Sequence, residues 1–108
     1  MDEATRTDVV VVGSGAAGLT AALSAATGGA TVTVIEREKV MGGTSVISGA
    51  SLWIPNNRFM REAGVEDSRA DALRYLEGVT LGVVPHVLLE RYVDQCQRMI
   101  DFLTEETG

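Results

Sequence analysis

At 108 residues the chain has room for one domain at most, and a domain of that size removes about 65% of its unfolded surface from water. Hydrophobic residues make up 45% and charged residues 22%, with 12 glycines, a composition that excludes disorder. A net charge of −6 with nine scattered Lys and Arg excludes a nucleic-acid surface, and a single cysteine, Cys96, excludes an internal disulfide.

In chain order, Met1-Asp2-Glu3 is acidic where a secretory signal would be basic. The apolar run Val9-Val10-Val11-Val12 is far too short to span a bilayer. A soluble, cytoplasmic protein is the expectation. Those four β-branched residues, without alternation, predict a strand covered on both faces, as in a parallel sheet. Gly13-Ser14-Gly15-Ala16-Ala17-Gly18 follows, and residues 16 to about 27 are mostly Ala and Leu, which predicts a helix ended by Gly28-Gly29. Residues 31–35 read as a second strand closing at Glu36, and a strand–helix–strand unit this short predicts parallel pairing.

From 37 to 57 the chain is irregular, rich in Gly, Ser and Thr, with Pro55 near its end. A short helix is expected over 58–63. Ser68 then reads as the N-cap of a helix from 69 to about 80, with Asp71 approximating a capping box. The last element is the most periodic: Leu89, Tyr92, Val93, Cys96, Met99, Ile100 and Leu103 form an apolar stripe behind Pro85. The fold class is therefore α/β, a Rossmann-like βαβ unit over 7–36, a loop over 37–57 and helices over about 58–107. Two legible strands are too few for a buried parallel sheet to stand alone. The expectation is an incomplete domain, with no substrate domain within these residues.

Gly13, Gly15 and Gly18 have the G-x-G-x-x-G spacing, directly after a strand and opening a helix. The first permits the tight turn, the second lets backbone approach a pyrophosphate, and the third lets helix pack closely on strand, as does Ala22 one turn on. The helix N-terminus offers free N–H groups and partial positive charge to phosphates. Glu36, about 20 residues on, can accept hydrogen bonds from ribose hydroxyls and would repel a 2′-phosphate. These features point to dinucleotide binding but leave FAD and NAD both open. Gly42-Gly43-Thr44-Ser45 then supplies a second glycine pair with hydroxyls, suited to run along an extended FAD toward its flavin end.

The stretch from Val10 to Ala22, with its three glycines, resembles the N-terminus of the fumarate reductase and succinate dehydrogenase flavoprotein superfamily. Within it, Gly42-Gly43-Thr44-Ser45-Val46-Ile47-Ser48-Gly49, followed by Leu52-Trp53-Ile54-Pro55-Asn56-Asn57, resembles the 3-ketosteroid dehydrogenase branch. The resemblance covers nearly the whole chain, as an N-terminal fragment of such an enzyme, and Ala50 departs from the Gly many relatives carry there. It implies FAD contacts at Gly13, Gly15, Ala16, Ala17, Gly18, Glu36, Arg37, Gly43, Thr44, Ser45, Ser48 and Gly49. It also implies oxidation of a carbon–carbon bond beside a ketone, with hydride passing to FAD, on a small-molecule substrate such as a 3-ketosteroid.

The branch's catalytic tyrosines and ketone-polarising groups lie further along the family's chain, and Tyr75 and Tyr92 do not match their motifs. No catalytic residue is therefore assigned here, and the remainder of an enzyme chain is the expected partner. Tyr92 is expected in the core, His86 as a solvated helix-start residue, and Cys96 as a buried, inert thiol. Trp53 suits packing or a place facing the flavin or substrate passage. One Cys and one His cannot build a metal site. Three alternatives stay open: a fumarate reductase or succinate dehydrogenase type of flavoprotein, an NAD-binding half-domain, and a truncated product that binds nothing.

Overall fold

The valines Val9–Val12 form strand β1, and Val32–Ile35 form β2, paired in parallel with Val9 opposite Val32 and Val12 opposite Ile35. This computed structural model describes residues 6–49 and 51–107. Met1-Asp2-Glu3, Ala50 and Gly108 lie outside the described residues. Helix α1, Ala16–Thr27, connects the strands and packs on both. It ends as expected, where Gly29 turns to φ +89°. Thr31 falls just outside β2, yet its carbonyl accepts from the N–H groups of Asp8 and Val9 at 3.0 and 3.1 Å. Asp8 in turn accepts from the N–H and hydroxyl of Thr31 at 2.8 and 2.7 Å. That end of the strand pair is held shut by side chains.

One expectation about β1 is not met among the described residues. α1 packs on the pair, yet Val10 and Val12 remain 53% and 82% exposed. An unbroken valine run shows that both faces are apolar; it does not supply the second cover.

The irregular stretch after Glu36 holds one regular turn, a 3-10 helix over Gly43–Ile47. Between Ser51 and Leu52 the described chain divides into two compact units, each with its own contacts. The second unit contains α2 (Arg58–Glu62), α3 (Arg69–Thr80) and α4 (His86–Thr107). Asn57 caps α2, accepting from the Met60 N–H at 3.0 Å. Ser68 caps α3, its hydroxyl accepting from the Asp71 N–H at 3.1 Å.

The reciprocal half of a capping box is absent at α3. Asp71 is one methylene shorter than the Glu such a box uses, and it accepts from the Ser68 hydroxyl at 2.6 Å. The Ser68 N–H goes instead to Asp67 at 2.8 Å. The expected stripe of α4 buries Leu89, Val93 and Cys96, and Leu89 and Val93 meet Ala72 and Leu73 of α3 in one apolar cluster. Beside it, Arg69 bridges to Asp94 at 2.6 Å and Glu90 at 3.3 Å.

Candidate functional site

The C-terminal ends of β1 and β2 open into the glycine turn, the edge at which parallel α/β sheets bind ligands. Gly13 leaves β1 with φ +95°, a conformation L side chains rarely adopt, and its N–H donates to the Ile35 carbonyl at 2.7 Å. A Cβ on Gly18 would run into the Gly13 carbonyl. The third glycine therefore lets the first turn of α1 close against the glycine turn itself, with Val11 only next in line. A Cβ on Gly15 would meet nothing within 4 Å. Space is open beside the second glycine, where a pyrophosphate is expected, so the residues present fit such a group.

Ser14 sits at the centre. It is the one fully buried side chain among the described residues, at 0% exposure. Its N–H donates to Oε2 of Glu36 at 2.9 Å, and its hydroxyl donates to the same oxygen. The hydroxyl also accepts from the Gly42 N–H at 2.9 Å. Oε1 of Glu36 accepts from the Glu38 N–H at 2.9 Å. These donors, the Glu38 N–H foremost and the Ser14 hydroxyl next, hold the Glu36 carboxyl well below the usual glutamate range, at about 2. Glu36 is thus a fixed anion that still has accepting capacity on Oε1.

The second glycine pair is drawn onto the first motif. Gly42 takes φ +119°, and a Cβ on Gly43 would stand 3.2 Å from Cα of Gly15. The Ser45 hydroxyl accepts from the Ala16 N–H at 3.3 Å, so it takes one of the donors expected to face phosphate. Ser48 donates to the Ser45 carbonyl at 2.7 Å and closes the 3-10 turn. Arg37 is turned aside, its side chain 91% exposed and paired with Glu38 at 3.1 Å. Ala17, Thr44 and Gly49 are exposed beside the network.

Sequence reasoning gathered Gly13, Gly15, Gly18, Glu36, Gly43 and Ser45, and the structure brings them together. It passed over Ser14, and it named Gly42 as a member of the second glycine pair without giving it a partner. Ser14 occupies a variable position of the glycine spacing, and the one signal for it was a hydroxyl between two glycines facing an acid.

In the helical unit, Trp53 stacks parallel on Tyr92 with centroids 6.3 Å apart and lies 5.2 Å from the Tyr75 ring. Tyr92 is not in the core as expected: it is 40% exposed, and its hydroxyl donates to the Trp53 carbonyl. It lies at the rim of the α4 stripe, where a ring can pack while its hydroxyl finds a partner. Cys96 is buried, and burial pushes its thiol up, away from the reactive thiolate. His86 is exposed at the start of α4 and meets Glu77 at 2.8 Å. Among the described residues no cluster of His, Cys, Asp or Glu could hold a metal ion, and no helix is long and apolar enough to cross a membrane.

Relatives among known proteins match nearly the whole of this chain. A 4-oxocyclohexanecarboxylate 2-dehydrogenase of Sinomonas cyclohexanicum is 48% identical over 101 residues, 94% of this chain and 18% of the relative. A 3-oxosteroid 1-dehydrogenase of Mycolicibacterium smegmatis is 41% identical over 100 residues, 93% of this chain and 18% of the relative. Among solved structures, 3-ketosteroid delta1-dehydrogenase from Sterolibacterium denitrificans, in complex with 1,4-androstadiene-3,17-dione, superposes with a TM-score of 0.81 at 39% identity. That match covers 92% of this chain and 17% of the solved one. The chain thus spans under a fifth of the length of the relatives it matches. The sequence profile described as FAD binding domain matches residues 8–108. The chain belongs to the FAD binding domain family, and its cofactor is FAD.

Proposed function

We propose that this chain is the N-terminal part of the FAD-binding domain of a dehydrogenase that oxidises a carbon–carbon bond beside a ring ketone. The observation that carries the reading is the convergence of the first glycine turn, Glu36 and the second glycine pair on one buried hydroxyl. In this reading the N–H groups at Gly15, Ala17 and Gly18 face the pyrophosphate, with the partial positive charge of α1 behind them, and the Ala16 N–H joins them when it exchanges the Ser45 hydroxyl for a phosphate oxygen. Gly13 sets the turn, and Glu36 accepts from the adenosine ribose, with Arg37 beside it. Gly43, Thr44, Ser45, Ser48 and Gly49 carry backbone and hydroxyls along the cofactor toward its flavin. When bound, FAD supplies the hydride acceptor.

The substrate class follows from the relatives, whose names pair a six-membered ring or a steroid with an oxo group. A cyclic ketone, such as a 3-ketosteroid, is the proposed substrate. The groups that take its acidified proton and polarise its ketone are assigned to residues outside these 108, the remainder of the enzyme chain. Tyr92 is a poor base, because its hydroxyl is committed to the Trp53 carbonyl and burial raises its pKa. A cytoplasmic setting is proposed on the single cysteine, and cell fractionation tests it. For the activity, the whole protein is purified, its flavin released and identified, and turnover of a 3-ketosteroid and a 4-oxocyclohexanecarboxylate measured with an artificial electron acceptor. FAD together with new ring unsaturation supports the proposal, and purification without flavin from FAD-replete cells overturns it.

A further inference from the structure

We propose that Ser14 is a positioning residue that aims Glu36 at the adenosine ribose, acting through that carboxylate rather than by touching the cofactor. This rests on the FAD reading of Glu36. Three observations carry it. Ser14 is completely buried, so its hydroxyl has no water to exchange with. Its hydrogen-bonding capacity is directed at two fixed points: the hydroxyl donates to Oε2 of Glu36 and accepts from the Gly42 N–H. A second donor from the same residue, its N–H, falls on the same oxygen. Oε2 is therefore the anchored half of the carboxylate, while Oε1 accepts from the Glu38 N–H, with the Arg37 N–H a weaker backbone donor to the same carboxylate, and is the half with capacity for a ribose hydroxyl.

A freely rotating carboxylate would have to be ordered at each binding event, at a cost in side-chain entropy. Ser14 orders it beforehand, and the Gly42 N–H fixes the serine in turn. β1, α1 and the residues from 40 to 48 carry no ionisable group, so the charged side chains around Glu36 are its chain neighbours Arg37, Glu38 and Lys39.

The test is a double-substitution cycle on FAD affinity in the whole protein, read by recovery of flavin fluorescence on release. S14A is expected to weaken FAD binding about ten-fold, the size of one lost hydrogen bond to a charged group. On an E36A background the same change is expected to cost nothing further, since the aimed group is gone. Acidification supplies a second readout. The Ser14 hydroxyl helps hold Glu36 ionised down to about pH 2, so S14A is expected to move acid-driven FAD release to higher pH. S14C preserves size but donates weakly, and the same pH displacement is expected if S14A fails to fold. Equal penalties for the serine change with and without Glu36, or an unmoved acid profile in the variant that folds, would overturn the inference. A wild-type protein that holds no flavin would instead overturn the functional reading beneath it.

Discussion

The two units of this chain are held together by opposite chemistry. Every buried apolar residue among those described, from Ile54 through Leu73 and Leu89 to Cys96, lies in the helical unit. The βαβ unit buries one side chain fully, and it is a serine. Its strand pair is fastened at both ends by carboxylates: Asp8 on Thr31 at one, Glu36 on Ser14 at the other. Apolar packing is non-directional and tolerates small shifts, whereas hydrogen bonds fix angle and distance. A unit that must present N–H groups and one carboxylate to a dinucleotide gains from the second kind of order. The helical unit has the first kind, and its site-like features are correspondingly few.

That contrast can be broken from either side. Gly15→Val places a branched side chain in the open space beside the turn, and the whole protein is expected to purify folded but essentially free of flavin, read by absorbance. A fully yellow variant would contradict the phosphate placement. Leu89→Ala strikes the other unit: a buried leucine among Ala72, Leu73 and Val93 is expected to cost roughly 2–5 kcal/mol in denaturant unfolding. Hydrogen exchange should show the loss in α3 and α4 ahead of β1 and β2.

Ser68→Ala removes the α3 cap and is expected to cost about 1 kcal/mol, measured the same way. The smallest effect belongs to Asp94→Asn. Its Arg69 partner is about half exposed, and such pairs contribute little. Arg69 lowers the Asp94 pKa, so whatever stability the pair adds is present above the ordinary carboxylate range and lost as pH falls. Melting curves of wild type and Asp94→Asn should nearly coincide near neutral pH and merge fully in acid.

Much of this architecture could be read from residue types. The valine run, the Ala-rich stretch closed by two glycines and the second β-branched run set β1, α1 and β2 to within a residue, because local propensity and turn chemistry agree there. The α4 stripe was equally plain, yet periodicity gives the face of a helix and not the depth of each residue on it. Tyr92 shares the stripe with Val93 and stays at its rim because its hydroxyl needs an acceptor. Asp71 sits where a capping box wants a longer acid, and the missing reach was supplied by Asp67, a residue no pattern singles out. Ser14 was hardest to read. Its partners lie 22 and 28 residues away, so its role exists only once β1 and β2 are side by side.

The aromatic cluster gives this chain a built-in label. It has one tryptophan and two tyrosines, and all three rings stand together at Trp53, Tyr75 and Tyr92. Light absorbed and emitted by them reports the helical unit alone, while the βαβ unit is optically dark in that band. Intrinsic fluorescence of these 108 residues during unfolding would therefore follow the loss of α3 and α4 and pass over the separation of β1 from β2. Far-ultraviolet dichroism follows backbone in both units, so a gap between the two melting curves would measure how independently the two units come apart.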